Sequence, residues 1–249
     1  MASETFAHGS VVKGPRALVD PVARAGAGAR RAARVLACPV VAARRLAWCK
    51  DDPFGAEFVE VALGPGPLRA SGVAVGSAPV PYRLDYEVET DQRFVSARFS
   101  ATVRADGWSR TLELRRATSG HWRVAWSEAG DPDAAMPKPG GDAAPLTGAL
   151  DVDLGLSPLF NTMPVLRHGL LRSRGSVDLV MAWVSVPDLQ VLRSPQRYEF
   201  DRVVDDERSV VRFSSLAGDG FEAIITYDAA GFVLDYPGIA RRLPFPPPS

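Results

Sequence analysis

The sequence has few cysteines and no long apolar run. Cys38 and Cys49 are the only two cysteines among 249 residues, and they do not form a CxxC motif. This spacing excludes a disulfide framework and a cysteine-based zinc or redox site. None of the apolar runs reaches the roughly 20 residues that a membrane-spanning helix needs. We therefore expect no transmembrane segment and, because no export signal is recognisable, a cytoplasmic location.

Catalytic and metal-binding motifs are also absent. The sequence contains no GxSxG, Walker, HExxH or GxGxxG motif. After the first 42 residues the histidines are His121 and His168, and together with Cys49 they show no metal-ligand spacing. We therefore predict no catalytic residue, no metal and no cofactor, which favours a binding role over an enzymatic one.

Charge is balanced overall but uneven along the chain. The 29 basic and 29 acidic residues cancel, which argues against a dedicated nucleic-acid-binding protein. Up to Arg45, however, eight basic residues face two acidic ones. We interpret residues 1–42 as a disordered, Ala/Arg-rich basic leader. A membrane-surface or nucleic-acid arm and translation from an upstream start are the alternatives.

The rest of the chain shows the two-residue period of β-strands. Tyr82, Leu84, Tyr86 and Val88 share one face of a strand, and charged residues alternate with them. Similar runs follow, and turn signals separate them. We predict one mainly β domain over 43–245, with a long loop at 127–149 that is either a surface insertion or a linker, and a Pro-rich tail at 246–249.

One stretch favours a helix. Ser157 is a candidate N-cap and Pro158 suits the first helical position. Pro164 should kink or end this helix, so we expect one short helix or two fragments.

Two aspartates precede the helix at a spacing of two residues. In an extended segment Asp151 and Asp153 project from one face, as in DxD motifs that bind a divalent cation with a sugar nucleotide. Alternatively, Asp153 pairs with an arginine and stabilises the following turn. We favour the structural role, because the chain lacks the βαβ alternation of the enzymes that carry this motif.

Arginine outnumbers lysine by 26 to 3. Arg167, Arg197 and Arg241 each lie among apolar or aromatic residues. A guanidinium group binds phosphate or carboxylate with two parallel hydrogen bonds, so these arginines are either ligands for an anion or members of internal ion pairs. The residues alone leave both interpretations open.

Several blocks resemble a known family. The run DVDLGLSPLFNTMPVLR, residues 151–167, resembles the signature of a bacterial family described as "Putative glycolipid-binding". Gln196-Arg197-Tyr198 and the block from Asp228 to Arg242 agree with that family in order and spacing, and the resemblance spans 44–243. Phe160 and Leu166 depart from the signature, and the second departure leaves Arg167 without the usual neighbouring arginine.

The resemblance implies a fold and a function. The expected fold is a spiral β-roll, an open and barrel-like antiparallel sheet that wraps around one short helix, similar in outline to lipoprotein-carrier proteins. The expected function is to hold a glycolipid or related anionic amphiphile in an internal tunnel, with arginines near the head group. The predicted ligand-binding residues are Asp153, Asn161, Arg167, Arg197, Tyr198, Tyr236 and Arg241.

Two other functions stay open at this point. The first is an enzyme of glycolipid metabolism that uses Asp151, Asp153 or His168, which a pair of carboxylates facing a cavity would favour. The second is a non-catalytic β scaffold for a protein partner, which a cavity too small for an alkyl chain would favour.

Overall fold

The computed structural model describes residues 43–64 and 67–244, so the leader and the tail lie outside the described residues. Within these ranges the chain forms fourteen strands and one α-helix. The strands are Ala43–Asp51 (β1), Phe54–Ala62 (β2), Arg69–Gly76 (β3), Tyr82–Thr90 (β4), Ser96–Ala105 (β5), Trp108–Arg116 (β6), Trp122–Gly130 (β7), Asp151–Leu154 (β8), Ser176–Val184 (β9), Val191–Val203 (β10), Arg208–Ser215 (β11), Glu222–Asp228 (β12), Val233–Tyr236 (β13) and Ala240–Arg242 (β14).

All fourteen strands belong to one unclosed sheet. Its order runs from β7 down to β1, continues with β14 and runs down to β8, so β7 and β8 are the two edges. Neighbouring strands are antiparallel except β8 and β9, which are parallel. In β4 the predicted face of Tyr82, Leu84, Tyr86 and Val88 is buried, as the alternation indicated. The expected mainly β, antiparallel sheet is confirmed.

The sheet curls so that strands near one edge, β5 and β6, contact residues near the other edge, around β8 and β9. The backbone N–H of Ser96 in β5 donates to the carbonyl of Leu150, just before β8, at 3.0 Å. The Ser96 hydroxyl accepts the N–H of Val152 at 3.1 Å. In β6, Nη1 of Arg110 donates to the carbonyl of Asp188 at 3.1 Å. These bonds hold the roll shut without closing the strand ladder.

The segment between β7 and β8 packs against the roll. Strand β7 continues to Gly130, so the irregular connection begins at residue 131 rather than at 127. Gly140 forms a bridge with Gln190, and the side chain of Leu146 is buried. The connection thus joins the two edge strands of one continuous sheet.

The helical segment lies inside the roll. A 3₁₀ turn, Pro158–Asn161, leads into the α-helix Thr162–Arg167 (α1), and Leu159, Phe160 and Met163 are buried. The expected two fragments are present. Pro164 does not end the helix as expected: it lies in the first turn of α1, where its missing N–H leaves no helical bond unmade, and α1 continues to Arg167. None of the helices in the described residues is long and apolar enough to span a membrane.

Two glycines make room for aromatic rings on the inner face. Gly72 and Gly76 in β3 pair with Tyr86 and Tyr82 in β4. A Cβ atom at Gly72 would lie 2.3 Å from the Tyr86 ring, so this ring rests directly on the backbone of β3. From there Tyr86 contacts Phe160 of the 3₁₀ turn, with ring centroids 5.5 Å apart.

Buried polar contacts fix the helical segment to the sheet. The expected N-cap, Ser157, makes no capping bond, because its hydroxyl donates to the buried carboxylate of Glu57 at 2.5 Å. The hydroxyl of Tyr86 donates to the same oxygen at 2.6 Å, and Lys50 lies 3.4 Å from the other oxygen. At the other end, Arg167 forms a two-pronged ion pair with the buried Asp151 and also donates to the carbonyl of Phe94.

We predict that Arg167→Met destabilises the fold. Removing one partner of a buried ion pair leaves Asp151 uncompensated, so the free energy of unfolding should fall by about 3–5 kcal/mol. The matched control is Arg197→Met, because Arg197 pairs with Asp178 on the exposed outer face. Urea unfolding of both variants provides the measurement. Equal losses would show that Arg167 is no more important to the fold than an exposed pair.

Candidate functional site

A cavity of about 550 Å³ opens between the last strands of the roll. Its walls come from the ends of β8 to β11 and β13 and from the chain that leads into the 3₁₀ turn. This volume lies in the range of about 300–1,000 Å³ that is usual for small-molecule sites. A shallower groove of about 340 Å³ on the outer face of β2 to β5 is lined instead by surface ion pairs such as Arg69–Glu89.

Polar side chains form a connected network on one wall. Nε2 of Gln196 donates to Oδ2 of Asp153 at 2.6 Å and to the Ser194 hydroxyl at 3.2 Å. The buried Tyr198 hydroxyl lies 2.9 Å from Oδ1 of Asn161 and 3.3 Å from Oε1 of Gln196. The network therefore orients an amide and a carboxylate toward the cavity.

Asp153 is the unusual member of this network. Burial raises the pKa of its carboxyl to about 6; the Gln196 hydrogen bond opposes this shift and the Asp151 charge adds to it. The second oxygen, Oδ1, receives no hydrogen bond from any side chain or backbone group of the described residues. A hydrogen-bond donor on a ligand would therefore find a free acceptor in a partly desolvated site.

Aromatic side chains cover the other walls. The ring of Phe213 lies 5.9 Å from that of Phe221 and 6.1 Å from that of Tyr236, between ring centroids. Trp183 pairs with Asp153 across β8 and β9 and lies against Gly155. This combination of apolar walls with a few converging polar groups is typical of ligand sites.

The chain turns sharply where it passes from β8 to the 3₁₀ turn. Leu156 has a φ of 63°, in the left-handed region that residues with a side chain rarely adopt. The next residue, Ser157, connects the cavity wall to Glu57. Backbone strain of this kind often accompanies functional sites.

The structure brings together four of the seven predicted ligand-binding residues. Asp153, Asn161 and Tyr236 line the cavity, and Tyr198 lies directly behind it in the network. Phe213, Phe221, Ser194 and Gln196 also line the cavity, and the sequence did not assign them to the site. Gln196 was within reach of the sequence, because strand alternation places it on the same face as Tyr198.

The three predicted arginines lie elsewhere. Arg197 donates to Asp178 at 2.6 and 2.7 Å on the outer face, and Arg167 is engaged by Asp151. Arg241 is exposed, and its Nη2 lies 3.8 Å from Sγ of Cys49. A role for these arginines in ligand binding would need a site other than this cavity.

The partners of Asp151 and Asp153 differ from those expected from the sequence. The arginine partner expected for Asp153 belongs to Asp151, and Asp153 is held by Gln196 instead. His168 is exposed beside Arg167, so Asp151 and His168 lie outside the lining of the cavity that Asp153 faces. Within residues 43–64 and 67–244, no three His, Cys, Asp or Glu side chains are grouped closely enough to hold a metal ion.

Comparisons with known proteins agree with this architecture. The solved structure of a DUF1089 family protein from Pseudomonas aeruginosa is similar, with a TM-score of 0.58 and 26% sequence identity over 75% of this chain and 92% of that one. No curated protein matches the chain. The family model described as "Putative glycolipid-binding" matches residues 45–242. The chain therefore belongs to this family.

Proposed function

We propose that the chain binds one amphiphile with a hydroxyl-rich head group, such as a glycolipid, in the cavity between β8 and β13. The observation that carries the proposal is the division of the cavity lining. A hydrogen-bonded polar network forms one wall, and an aromatic cluster forms the others. The name of the family supports the same ligand class.

The polar wall suits a neutral head group. Oδ1 of Asp153 accepts a hydroxyl hydrogen, and the NH2 group of Asn161 supplies donors. Gln196 offers a ligand only its Oε1 acceptor, because its two amide hydrogens are donated to Asp153 and Ser194. Asp219 also lines the cavity, so two carboxylates face one guanidinium, that of Arg193. This balance of charge disfavours an anionic head group beside Asp153.

The aromatic walls suit an alkyl chain or the apolar face of a sugar ring. Phe213, Phe221 and Trp183 offer flat surfaces, and Ile239 adds an aliphatic one. Burial of apolar ligand surface against them provides about 25 cal/mol per Å².

An anionic amphiphile is the second candidate, and Arg193 is the observation that favours it. Arg193 is exposed at the cavity and makes no ion pair among the described side chains. The ionised carboxylate of Asp153 would repel an anion bound nearby, whereas it would accept a hydrogen bond from a neutral head group. The affinities for the two candidate ligands should therefore change in opposite directions with pH.

Removing an aromatic wall should weaken binding. We expect Trp183→Ala to lower the affinity for octyl glucoside monomers by about tenfold or more, since the side chain loses its contact with the ligand. Trp126→Ala is the matched control, because Trp126 is half-exposed in β7 and does not line the cavity. Isothermal titration calorimetry on both variants measures the difference. An equal affinity in the two variants would contradict the proposed site.

The direction of pH dependence identifies the head group. A sugar hydroxyl donates to the ionised form of Asp153, whose pKa is about 6, so octyl glucoside affinity should rise several-fold between about pH 5 and pH 7. Octyl sulfate, which stays ionised throughout, should bind less tightly over the same range, because the carboxylate repels it. Asp153→Asn should abolish both dependences. If only octyl sulfate binds, the neutral head group is wrong.

A further inference from the structure

Three large apolar side chains in or next to the cavity lining are exposed to solvent. Leu192 on β10 is 44% exposed, and in the β11–β12 connection Leu216 and Phe221 are 41% and 36% exposed. The backbone N–H of Leu216 donates to the carbonyl of Pro195 at 2.9 Å, which places this connection beside β10. Three apolar groups from two elements thus converge on one opening. We refer to Leu192, Leu216 and Phe221 as the apolar rim.

We propose that the apolar rim docks on a lipid bilayer, so that an amphiphile passes between the membrane and the cavity without its alkyl chain crossing water. This inference rests on the proposed function, because it gives the rim a purpose only if the cavity accepts an amphiphile. Leu192 and Phe221 belong to the cavity lining as well, so the surface that would enter the membrane is continuous with the ligand site.

The size of the rim favours a membrane over a protein partner. A stable protein–protein interface buries about 1,200–2,000 Å² in total, which three partly exposed side chains do not approach. Membrane binding has no such threshold, because its strength scales with the apolar area that enters the boundary between head groups and acyl chains, and a small area gives weak, reversible binding. A second copy of the chain is therefore not the occupant that this surface suits.

Charges at the rim are consistent with lipid head groups. Arg193 follows Leu192 directly and is free to contact a lipid phosphate, since it makes no ion pair among the side chains that the structure describes. Asp219 lies at the tip of the β11–β12 connection and accepts the backbone N–H of Phe221 at 3.2 Å. These two opposite charges balance, so we expect binding to zwitterionic vesicles with a weak dependence on anionic lipid.

The same end of the sheet carries the most exposed large apolar side chain of the described residues. Phe54, 70% exposed, follows the β1–β2 turn. Strand β1 pairs with β14 so that this turn and the β13–β14 turn lie at one end of the sheet. Phe54 therefore lies at the same end of the sheet as Ile239 of the β13–β14 turn, which lines the cavity.

The test is flotation of the full chain with phosphatidylcholine vesicles. Leu216→Asp should lower the partition coefficient by about tenfold or more, because a carboxylate replaces an apolar group at the bilayer boundary. Val204→Asp is the matched control: Val204 is 45% exposed and lies at the opposite end of β11, in the β10–β11 turn. It adds the same charge and should leave vesicle binding unchanged. Leu216→Ser, which adds no charge, should show a smaller loss in the same direction.

The outcomes separate this inference from the proposed function. Leu216 does not line the cavity, so Leu216→Asp should bind octyl glucoside monomers as the unchanged chain does. The docking surface would be wrong if Leu216→Asp left vesicle binding intact, or if Val204→Asp reduced it equally. Octyl glucoside binding by these variants would then still support the proposed function. If instead vesicle binding depends on Leu216 but the unchanged chain does not bind octyl glucoside, the docking surface is supported and the proposed ligand is wrong.

Discussion

The buried ion pair between Arg167 and Asp151 determines where the helix lies inside the rolled sheet. Asp151 begins the short edge strand β8, and Arg167 ends α1, so the pair fixes both ends of the segment between them. Burial still raises the pKa of Asp151, although both of its oxygens accept guanidinium hydrogens and a third bond from Arg167 reaches the carbonyl of Phe94. With this segment in place, Ser157 reaches Glu57 and Asn161 reaches Tyr198.

The same strand produces two aspartates with opposite surroundings. Asp151 is paired with the guanidinium of Arg167, whereas Asp153, two residues later, meets only the neutral amide of Gln196. Burial without a compensating cation raises the pKa of Asp153 to about 6 and leaves one oxygen available to the cavity. The four-residue strand β8 therefore carries both a structural residue, Asp151, and a candidate ligand-binding residue, Asp153.

Much of the fold could be predicted from the sequence, because strand alternation is a local property. The inner face of β4 and the start of the helical segment at Pro158 follow from the residue pattern alone. The arginines could not be placed in this way. Whether Arg197 meets a ligand or an acid depends on its pairing with Asp178, which the register between β9 and β10 sets. The cavity as a whole was also out of reach, since its walls come from several strands, and among the lining residues that were not predicted, Gln196 carried a local signal.

The central claim of this account is that the cavity holds a neutral amphiphile with its head group against Asp153. A crystal structure of the chain in complex with octyl glucoside tests it most directly. We expect a sugar hydroxyl within hydrogen-bond distance of Oδ1 of Asp153, and the alkyl chain against Phe213 and Phe221. Octyl glucoside bound only on the outer face of β2 to β5, or with its head group away from Asp153, would contradict it.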